Sequence, residues 1–314
     1  MSTRRILYLS KNFGFPLGGV RIAHHHVEML RRNGHNASIL LTTRETKGFF
    51  DTSVKTLHLD ADFRARPDDV FVVPEPWNDM LLKLKPVKGR TIVFCQNHFY
   101  VHHGLGSAST YADLGVSTVF CCGDVIARYL LDVVGEPRAP IVHNGVDTAL
   151  FKSAATKARQ IAYMPRKMAK EAIHIKATFQ RLYPRWASVP WVPIEGVAEA
   201  EVARIMGQSE VFLTLGRMEG LGLPPLEAMA AETLVVGFTG DGGAEFATPE
   251  NGWWAGPDDW MGCAAGLNEA LTLCADDPAA AAGRRAQSLE TVSRYTLDQM
   301  ERELLAFWNT ELVR

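Results

Sequence analysis

Short apolar runs alternate with amphipathic helical segments along this chain, and that alternation limits the fold more than any other feature. Near the start, apolar runs at residues 6–9 and 37–41 flank a loop at 11–19 and a helical segment. A strand, a helix and a second strand in this order are typical of a βαβ unit. The helical segment ends at Gly34 and has an apolar stripe that we expect to pack on the sheet. The stripe consists of Val20, Ala23, Val27 and Leu30.

The alternation continues as two series of predicted elements. The first series has further strands at residues 70–73, 91–95, 116–121 and 141–143, and a helix capped by Asp124. A small, polar stretch at 151–158 separates it from the second series. The second series has strands at 160–164, 191–194, 211–215 and 234–238, and helices at 198–206 and 226–231.

The length of 314 residues exceeds what one hydrophobic core usually organises, so we predict two domains. Residues 1–155 and residues 156–296 are each expected to form a doubly wound α/β unit. Residues 297–314 form a closing helix, which we expect to dock across both lobes. Its apolar face carries Met300, Leu304, Leu305 and Trp308.

Composition and hydropathy limit the binding partners and the cellular location that we expect for this protein. The net charge is −2, with 22% charged and 47% hydrophobic residues, so a nucleic-acid partner is not expected. No apolar run approaches the roughly 20 residues that span a bilayer, and the start lacks the apolar core of a secretory signal. We therefore expect a cytoplasmic protein whose five cysteines are buried thiols. Peripheral contact with an anionic membrane surface is an alternative, if Arg4, Arg5, Arg31 and Arg32 cluster in space.

Residues 219–227, directly after a predicted strand, form the segment that carries the chemistry. Gly220 and Gly222 allow backbone amides to approach a ligand. Pro224 and Pro225 suit the first positions of a helix, where a missing N–H costs nothing. The free amides and the dipole of such a helix favour an anion, for example a phosphate.

Glu219 and Glu227 lie at the two ends of this segment. Two carboxylates would repel a bound anion unless they bind neutral hydroxyl groups, and sugars and ribose are rich in hydroxyls. This is the physical argument for a nucleotide-sugar ligand. The alternative is that Glu227 only complements the helix dipole and Glu219 is a solvated loop residue.

The spacing of the two glutamates resembles that of retaining glycosyltransferases of the GT-B fold, and of family 4 in particular. Other matches follow the order of that family along most of the chain. They are Gly18-Gly19, Gly34-His35, Asn144-Gly145-Val146-Asp147 with Phe151, Ala228-Met229-Ala230, Gly242-Gly243 with Glu245, and Asn251-Gly252. The resemblance implies two Rossmann-like domains facing across a cleft, with residues 1–155 on the acceptor side and residues 156–296 binding the nucleotide-sugar donor. It also implies metal-independent, cofactor-free transfer, with retention, from a nucleotide-diphosphate sugar to an acceptor hydroxyl.

The resemblance implies roles for individual residues. Glu219 faces the donor sugar, and Glu227 binds the ribose hydroxyls of the nucleotide. His98, after the predicted strand at 91–95, resembles a histidine that faces the donor sugar; its alternative role is a hydrogen-bonded loop residue. The backbone positions that bind the donor are Gly18, Gly19, Gly220, Leu221, Gly222 and Leu223.

A basic pair after the first strand of the second domain is expected to bind the diphosphate. The family's arginine and lysine usually stand slightly further apart than Arg166 and Lys167 do, so two pairings are open. We favour Arg166 with Lys170 and keep Lys167 as the second choice. Arginine can donate two parallel hydrogen bonds to phosphate oxygens, and lysine adds a point charge. Both therefore offset the negative charge of the leaving diphosphate. The alternative is a solvated basic turn.

Several positions depart from the family pattern. The family usually has Pro-Ser near Leu215-Gly216, a small residue near Glu232 and a serine near Cys122-Gly123. The chain is also shorter than most relatives, which leaves the acceptor open among glycans, lipid-linked molecules and small molecules. A non-catalytic nucleotide-sugar-binding protein and a nucleotide-sugar epimerase are the alternative functions.

Histidines and aspartates suggest metal sites, but their spacing is unfavourable. Consecutive histidines at 24–26 point about 100° apart on a helix, so we expect His24 to face the core or a cleft. His98 and His102 stand four residues apart without a partnering acid. The Asp-Ala-Asp run at 60–62 is similar to the metal-binding motif of the other major glycosyltransferase fold, which leaves metal-dependent transfer as an alternative.

Overall fold

The computed structural model describes residues 4–11, 18–42, 54–166 and 168–313. The chain divides into two compact units. The first unit comprises Met1–Asn144 with Met300–Arg314, and the second comprises Gly145–Gln299. The division thus falls earlier in the chain than the expected boundary at residue 155, and most of the final helix belongs to the first unit.

Eleven strands and ten helices form the regular structure of the described residues. The strands are β1 (Arg5–Ser10), β2 (Asn36–Leu41), β3 (Thr56–His58), β4 (Val70–Pro74), β5 (Arg90–Cys95), β6 (Val116–Cys121), β7 (Ala158–Tyr163), β8 (Trp191–Pro193), β9 (Ser209–Thr214), β10 (Leu234–Phe238) and β11 (Gly252–Ala255). The helices are α1 (Gly18–Arg32), α2 (Asn78–Leu84), α3 (Val101–Leu105), α4 (Asp124–Tyr129), α5 (Ala169–Leu182), α6 (Glu199–Gln208), α7 (Leu223–Ala230), α8 (Trp260–Asp276), α9 (Pro278–Val292) and α10 (Leu297–Glu311).

Each unit contains one parallel sheet. The first sheet has the order β3-β2-β1-β4-β5-β6, which is the doubly wound order of dinucleotide-binding folds. The second has the order β11-β10-β9-β7-β8, the other common doubly wound order. The winding direction reverses between β1 and β4 in the first sheet and between β7 and β9 in the second. Ligands of such sheets bind at the carboxyl ends of the strands at this reversal, so the topology indicates where each unit's site lies.

The predicted strands are confirmed with one exception, the run at residues 141–143. Ile141 forms a single bridge with Cys121 of β6 instead of a strand. Pro140 has no N–H with which to extend the ladder, because its ring nitrogen carries no proton. The prediction of Asp124 as a helix cap is also wrong. Gly123 occupies the cap position, and Asp124 is the first residue of α4, where its carboxylate complements the helix dipole.

Helix α10 packs within the first unit through aromatic side chains. Trp308 is fully buried and donates its indole N–H to the Tyr8 hydroxyl at 3.3 Å. Phe307 stacks on Phe120 with ring centroids 4.5 Å apart. The expected apolar face is confirmed at Met300, Leu304 and Trp308, whereas Phe307 is buried and Leu305 only half-buried.

The four arginines considered for an alternative membrane-binding cluster each contact other groups of the first unit. Arg4 donates to the carbonyl of Leu312, and Arg31 donates to that of Ala37. Arg5 forms a bidentate pair with the buried Asp69, and Arg32 pairs with Glu301 on α10. These hydrogen bonds and ion pairs therefore connect elements of this unit. None of the helices in the described part of the chain has the length and apolar character required to cross a membrane.

Candidate functional site

The loop that follows β9 carries Glu219 and is fixed by its backbone. The Glu219 amide donates to the carbonyl of Gly240 at 2.9 Å, and its carbonyl accepts from the Gly242 amide at 3.1 Å. Gly240 and Gly242 lie after β10, the neighbouring strand, so two loops at the carboxyl edge of the second sheet pair like short strands. This pairing leaves the Glu219 side chain half-exposed on a fixed backbone.

Gly242 allows these two loops to approach each other. A Cβ at Gly242 would stand 1.7 Å from the carbonyl oxygen of Gly220, a distance that no packed structure tolerates. Gly240 has a φ of +74°, which favours glycine because it has no Cβ. The sequence indicated Gly242-Gly243 only through the family resemblance, and the backbone contacts with Glu219 were not predicted.

Helix α7 begins where the Glu219 loop ends. Gly222, with a φ of +83°, is the residue before the helix, and Leu223 is its first residue. The helix thus begins earlier than the predicted residue 226, and the two prolines occupy its first turn as expected. Because Pro224 and Pro225 have no N–H, only Gly222 and Leu223 provide amides at this helix end. An anion here would have two backbone donors and the dipole of α7.

Glu227 lies one turn into α7 and is 3% exposed. The residues from Glu219 to Glu227 therefore form one continuous unit of loop and helix, in which the first carboxylate is half-exposed and the second is buried. The predicted donor-binding positions Gly220, Leu221, Gly222 and Leu223 all belong to this unit.

Arg166 and Lys170 follow β7, on the other side of the point where the second sheet reverses. Arg166 lies in the connection between β7 and α5, and Lys170 lies in the first turn of α5. Both are exposed, and neither forms a hydrogen bond or ion pair with another residue of the described ranges. Because β7 and β9 are parallel neighbours, these cations lie at the same sheet edge as Glu219. Lys167 lies outside the described residues.

The other predicted site residues lie at the corresponding edge of the first sheet. Gly18 and Gly19 begin α1, and His98 begins a short 3₁₀ turn after β5. His98 is 3% exposed and its ring lies 5.1 Å from that of Tyr129. The side-chain amide of Gln96 donates to the carbonyl of Gly19 at 3.1 Å, so α1 and the His98 turn are linked.

Glu75 is a buried acid at this edge that the sequence reasoning missed. It directly follows β4 and is 4% exposed, and burial raises its pKa to about 7. The backbone N–H of Gln96 donates to the Glu75 carboxylate at 3.3 Å. An acid placed immediately after a strand of fully apolar residues was the signal available in the sequence.

The residues considered for metal binding contact other groups of the protein. His26, not His24, is the buried histidine of α1: its Nδ1 lies 3.2 Å from the Tyr8 hydroxyl, and burial lowers its pKa to about 3. His24, which was expected to face the core or a cleft, is half-buried. Three residues of the predicted stripe, Ala23, Val27 and Leu30, are buried as expected. His102 Nε2 lies 2.8 Å from the Tyr129 hydroxyl. Asp60 accepts from the Asp62 amide in a local turn. Within the described ranges, no three His, Cys, Asp or Glu side chains are grouped as metal ligands would be.

Comparison with known proteins shows the class of this chain. A sucrose-phosphate synthase from Thermosynechococcus elongatus matches over 99% of both chains, with a TM-score of 0.75 and 14% identity. HepE of Anabaena, solved in complex with UDP, matches over 98% of this chain and 100% of that one, with a TM-score of 0.69 and 15% identity. The fold is thus the two-domain α/β fold of GT-B glycosyltransferases.

Sequence comparison identifies the family. The family of glycosyl transferases group 1 matches residues 194–287, which include the Glu219 loop and α7. An α-1,6-glucosyltransferase of Actinobacillus pleuropneumoniae serotype 7 (strain AP76) is 32% identical over 231 residues, which cover 71% of this chain and 69% of the relative. The chain belongs to the group 1 glycosyltransferases, and its activity is that of a glycosyltransferase.

Proposed function

We propose that this glycosyltransferase moves a sugar from a nucleotide-diphosphate sugar to an acceptor hydroxyl, with retention of anomeric configuration and without a metal ion. The observation that supports this proposal most directly is the arrangement of charged and backbone groups at the carboxyl edge of the second sheet. There the fixed Glu219 loop and the start of α7 share the edge with the exposed cations Arg166 and Lys170. A diphosphate needs positive groups, and the hydroxyls of a sugar and a ribose need acceptors.

In this proposal each group has a separate task. Arg166 and Lys170 bind the diphosphate, with Lys167 as the second choice for the lysine. The backbone amides of Gly222 and Leu223 help to offset the negative charge of the diphosphate. Glu219 accepts from hydroxyls of the donor sugar, and Glu227 accepts from those of the ribose. Because backbone hydrogen bonds hold the Glu219 loop before substrate arrives, the amides at the start of α7 stabilise the leaving diphosphate with little reorganisation.

The reaction itself needs no protein nucleophile. The acceptor oxygen forms a bond to the anomeric carbon on the face from which the diphosphate leaves, and the bond between that carbon and the phosphate oxygen breaks. A phosphate oxygen of the leaving group takes the acceptor proton. In the first unit, we assign His98 and the backbone of Gly18 and Gly19 to the donor sugar.

UDP-glucose is the donor to test first. HepE has been solved with UDP-glucose, and the curated relative is named an α-1,6-glucosyltransferase. For the acceptor, TarM has been solved in complex with α-GlcNAc-glycerol and UDP. These relatives support a glycan or glycoside hydroxyl as acceptor, with lipid-linked and small-molecule acceptors as the other classes to test.

The role of Arg166 is tested by titrating UDP into the Arg166→Ala variant. A charged hydrogen bond to phosphate is worth about 1.5–3 kcal/mol, so we expect Kd for UDP to rise roughly ten- to a hundredfold. The matched control is Arg181→Ala, which removes an exposed arginine from the last turn of α5. Equal affinity of both variants and the wild type would remove Arg166 from the site.

A further inference from the structure

Glu75 holds a loop of the first unit through its carboxylate. The side chain lies at the carboxyl end of β4, beside the point where the first sheet reverses. Its carboxylate accepts from the backbone amides of Gln96 and Asn97, and from its own amide. Burying a carboxylate costs free energy, and these three N–H groups offset part of that cost. In the described part of the chain, no lysine or arginine forms an ion pair with it.

The two anchored residues position two segments that the proposed function uses. Gln96 donates from its side chain to the carbonyl of Gly19, where α1 begins. A Cβ at Gly19 would come within 3.0 Å of that side chain, so the contact is close. Asn97 accepts from the Phe99 amide at 3.0 Å and thereby caps the turn that carries His98.

The backbone of Glu75 is fixed as firmly as its side chain. The Tyr111 hydroxyl donates to the Glu75 carbonyl at 3.0 Å. Gly104 of α3 packs so closely that a Cβ there would stand 1.7 Å from the same carbonyl oxygen. The carboxylate therefore acts from a rigid base, and a change in its acceptor capacity is transmitted to residues 96–98 rather than absorbed by movement of β4.

We propose that Glu75 is a positioning residue for sugar transfer, which sets the places of Gly19 and His98 by holding the amides of Gln96 and Asn97. This proposal rests on the proposed function, in which Gly19 and His98 contact the donor. In this role Glu75 itself does not contact the substrate. It aligns the groups that do, and small displacements of such groups are costly for turnover.

The decisive variant is Glu75→Gln, which keeps the size of the side chain and replaces one acceptor oxygen with an NH₂ donor. That NH₂ faces backbone N–H groups and cannot accept from them. We expect kcat with UDP-glucose to fall on the order of ten- to a hundredfold, because the His98 turn shifts. Kd for UDP should stay unchanged, since Arg166, Lys170 and Glu227 belong to the other unit.

The matched control is Glu311→Gln. Glu311 is also a buried acid of the first unit, 2% exposed, and accepts from the Arg90 guanidinium at 2.5 Å and from the Thr118 hydroxyl at 3.1 Å. Neither partner contacts Glu75 or residues 96–98 within the described ranges, so this variant should lose stability without a comparable loss of kcat. An equal fall in kcat for both variants would show a general effect of a buried amide and would overturn the proposal.

Amide hydrogen exchange tests the proposal independently of activity. In Glu75→Gln, we expect exchange in a peptide covering residues 96–100 to accelerate at least tenfold, while peptides of β9 and α7 keep the wild-type rates. Unchanged exchange at 96–100 would contradict the proposal even if the enzyme transfers sugar. If the wild type transfers no sugar, the proposed function fails, and the exchange result still decides whether Glu75 holds this loop.

Discussion

Gly242 shows how one residue type determines the geometry of the proposed site. Its missing side chain lets the Glu219 loop and the loop after β10 share backbone hydrogen bonds. The sequence shows the glutamate pair because both residues lie on one short segment with a characteristic spacing. It does not show that the Gly240 carbonyl holds the Glu219 amide, since that contact joins loops after two different strands.

Replacing Gly242 with alanine should therefore separate these loops. The added Cβ collides with the Gly220 carbonyl oxygen, so residues 219–220 must move by an ångström or more. We expect kcat to fall on the order of a hundredfold and stability to fall by about 1–3 kcal/mol. Steady-state kinetics and urea unfolding measure both. In the control Gly256→Ala, the new Cβ meets nothing within 4 Å, and kinetics like those of Gly242→Ala would contradict this explanation.

Glu75 gives a prediction about pH. The pKa of Glu75 is about 7 in the folded protein, compared with an ordinary value of 4.5, which we take for the unfolded chain. Between pH 4.5 and pH 7 the folded state therefore binds more protons than the unfolded state. Stability should therefore fall as pH rises from 4.5 to 7 and be constant above, with a total loss of about 3 kcal/mol from this residue. The titratable neighbours Cys95 and Tyr111 have pKa values raised by burial and stay neutral there.

The measurement is urea unfolding of the wild type and of Glu75→Gln from pH 5 to pH 8. Because glutamine does not titrate, the stability of the variant relative to the wild type should increase with pH over this range. A stability difference that is independent of pH would show that Glu75 does not ionise within the fold.

At the scale of elements, Lys157 joins the ends of two helices of the second unit. Its ammonium donates to the carbonyls of Gly207 and Ser209 at the end of α6, and to the carbonyl of Ala231 at the end of α7. It also contacts the Thr233 hydroxyl at 3.1 Å. Helix ends carry partial negative charge, so one cation stabilises both. The far end of α7 is the end that adjoins the Glu219 loop.

Lys157→Met should destabilise the second unit by about 2–4 kcal/mol, because three carbonyl groups lose a charged donor. Thermal and urea unfolding measure this loss. The control is Lys152→Met, which removes an exposed lysine of the same unit and should change stability by less than about 0.5 kcal/mol. Similar stability of the two variants would show that water replaces the ammonium at little cost.

Element prediction succeeded where periodicity is strong and failed where it is weak. The buried strands were predicted because their apolar runs are continuous, as parallel strands require. The short strands β3 and β11, of three and four residues, were missed, although β8 is equally short and was predicted from the run at 191–194. Residues 141–143 have a strand-like pattern, but Pro140 limits the pairing to one bridge.

For the whole molecule, strand order decides which residues form a site, and strand order cannot be read from periodicity. Glu75 and Gln96 meet because β4 and β5 are neighbours, and Arg166 shares an edge with Glu219 because β7 lies beside β9. The sequence indicated the family and most of the residues of the proposed site. The sheet topology adds Glu75, Gln96 and Gly240, whose roles depend on contacts between distant segments.

We propose that this group 1 glycosyltransferase transfers a sugar from a nucleotide donor with retention and without a metal ion. The most direct test is proton NMR of the product formed from UDP-glucose, whose sugar is α-linked, and a glycoside acceptor, in the presence of EDTA. We expect a new α-glycosidic linkage at a rate that EDTA does not change. A β-linked product, or transfer that stops in EDTA and resumes when a divalent ion is added back, would contradict it.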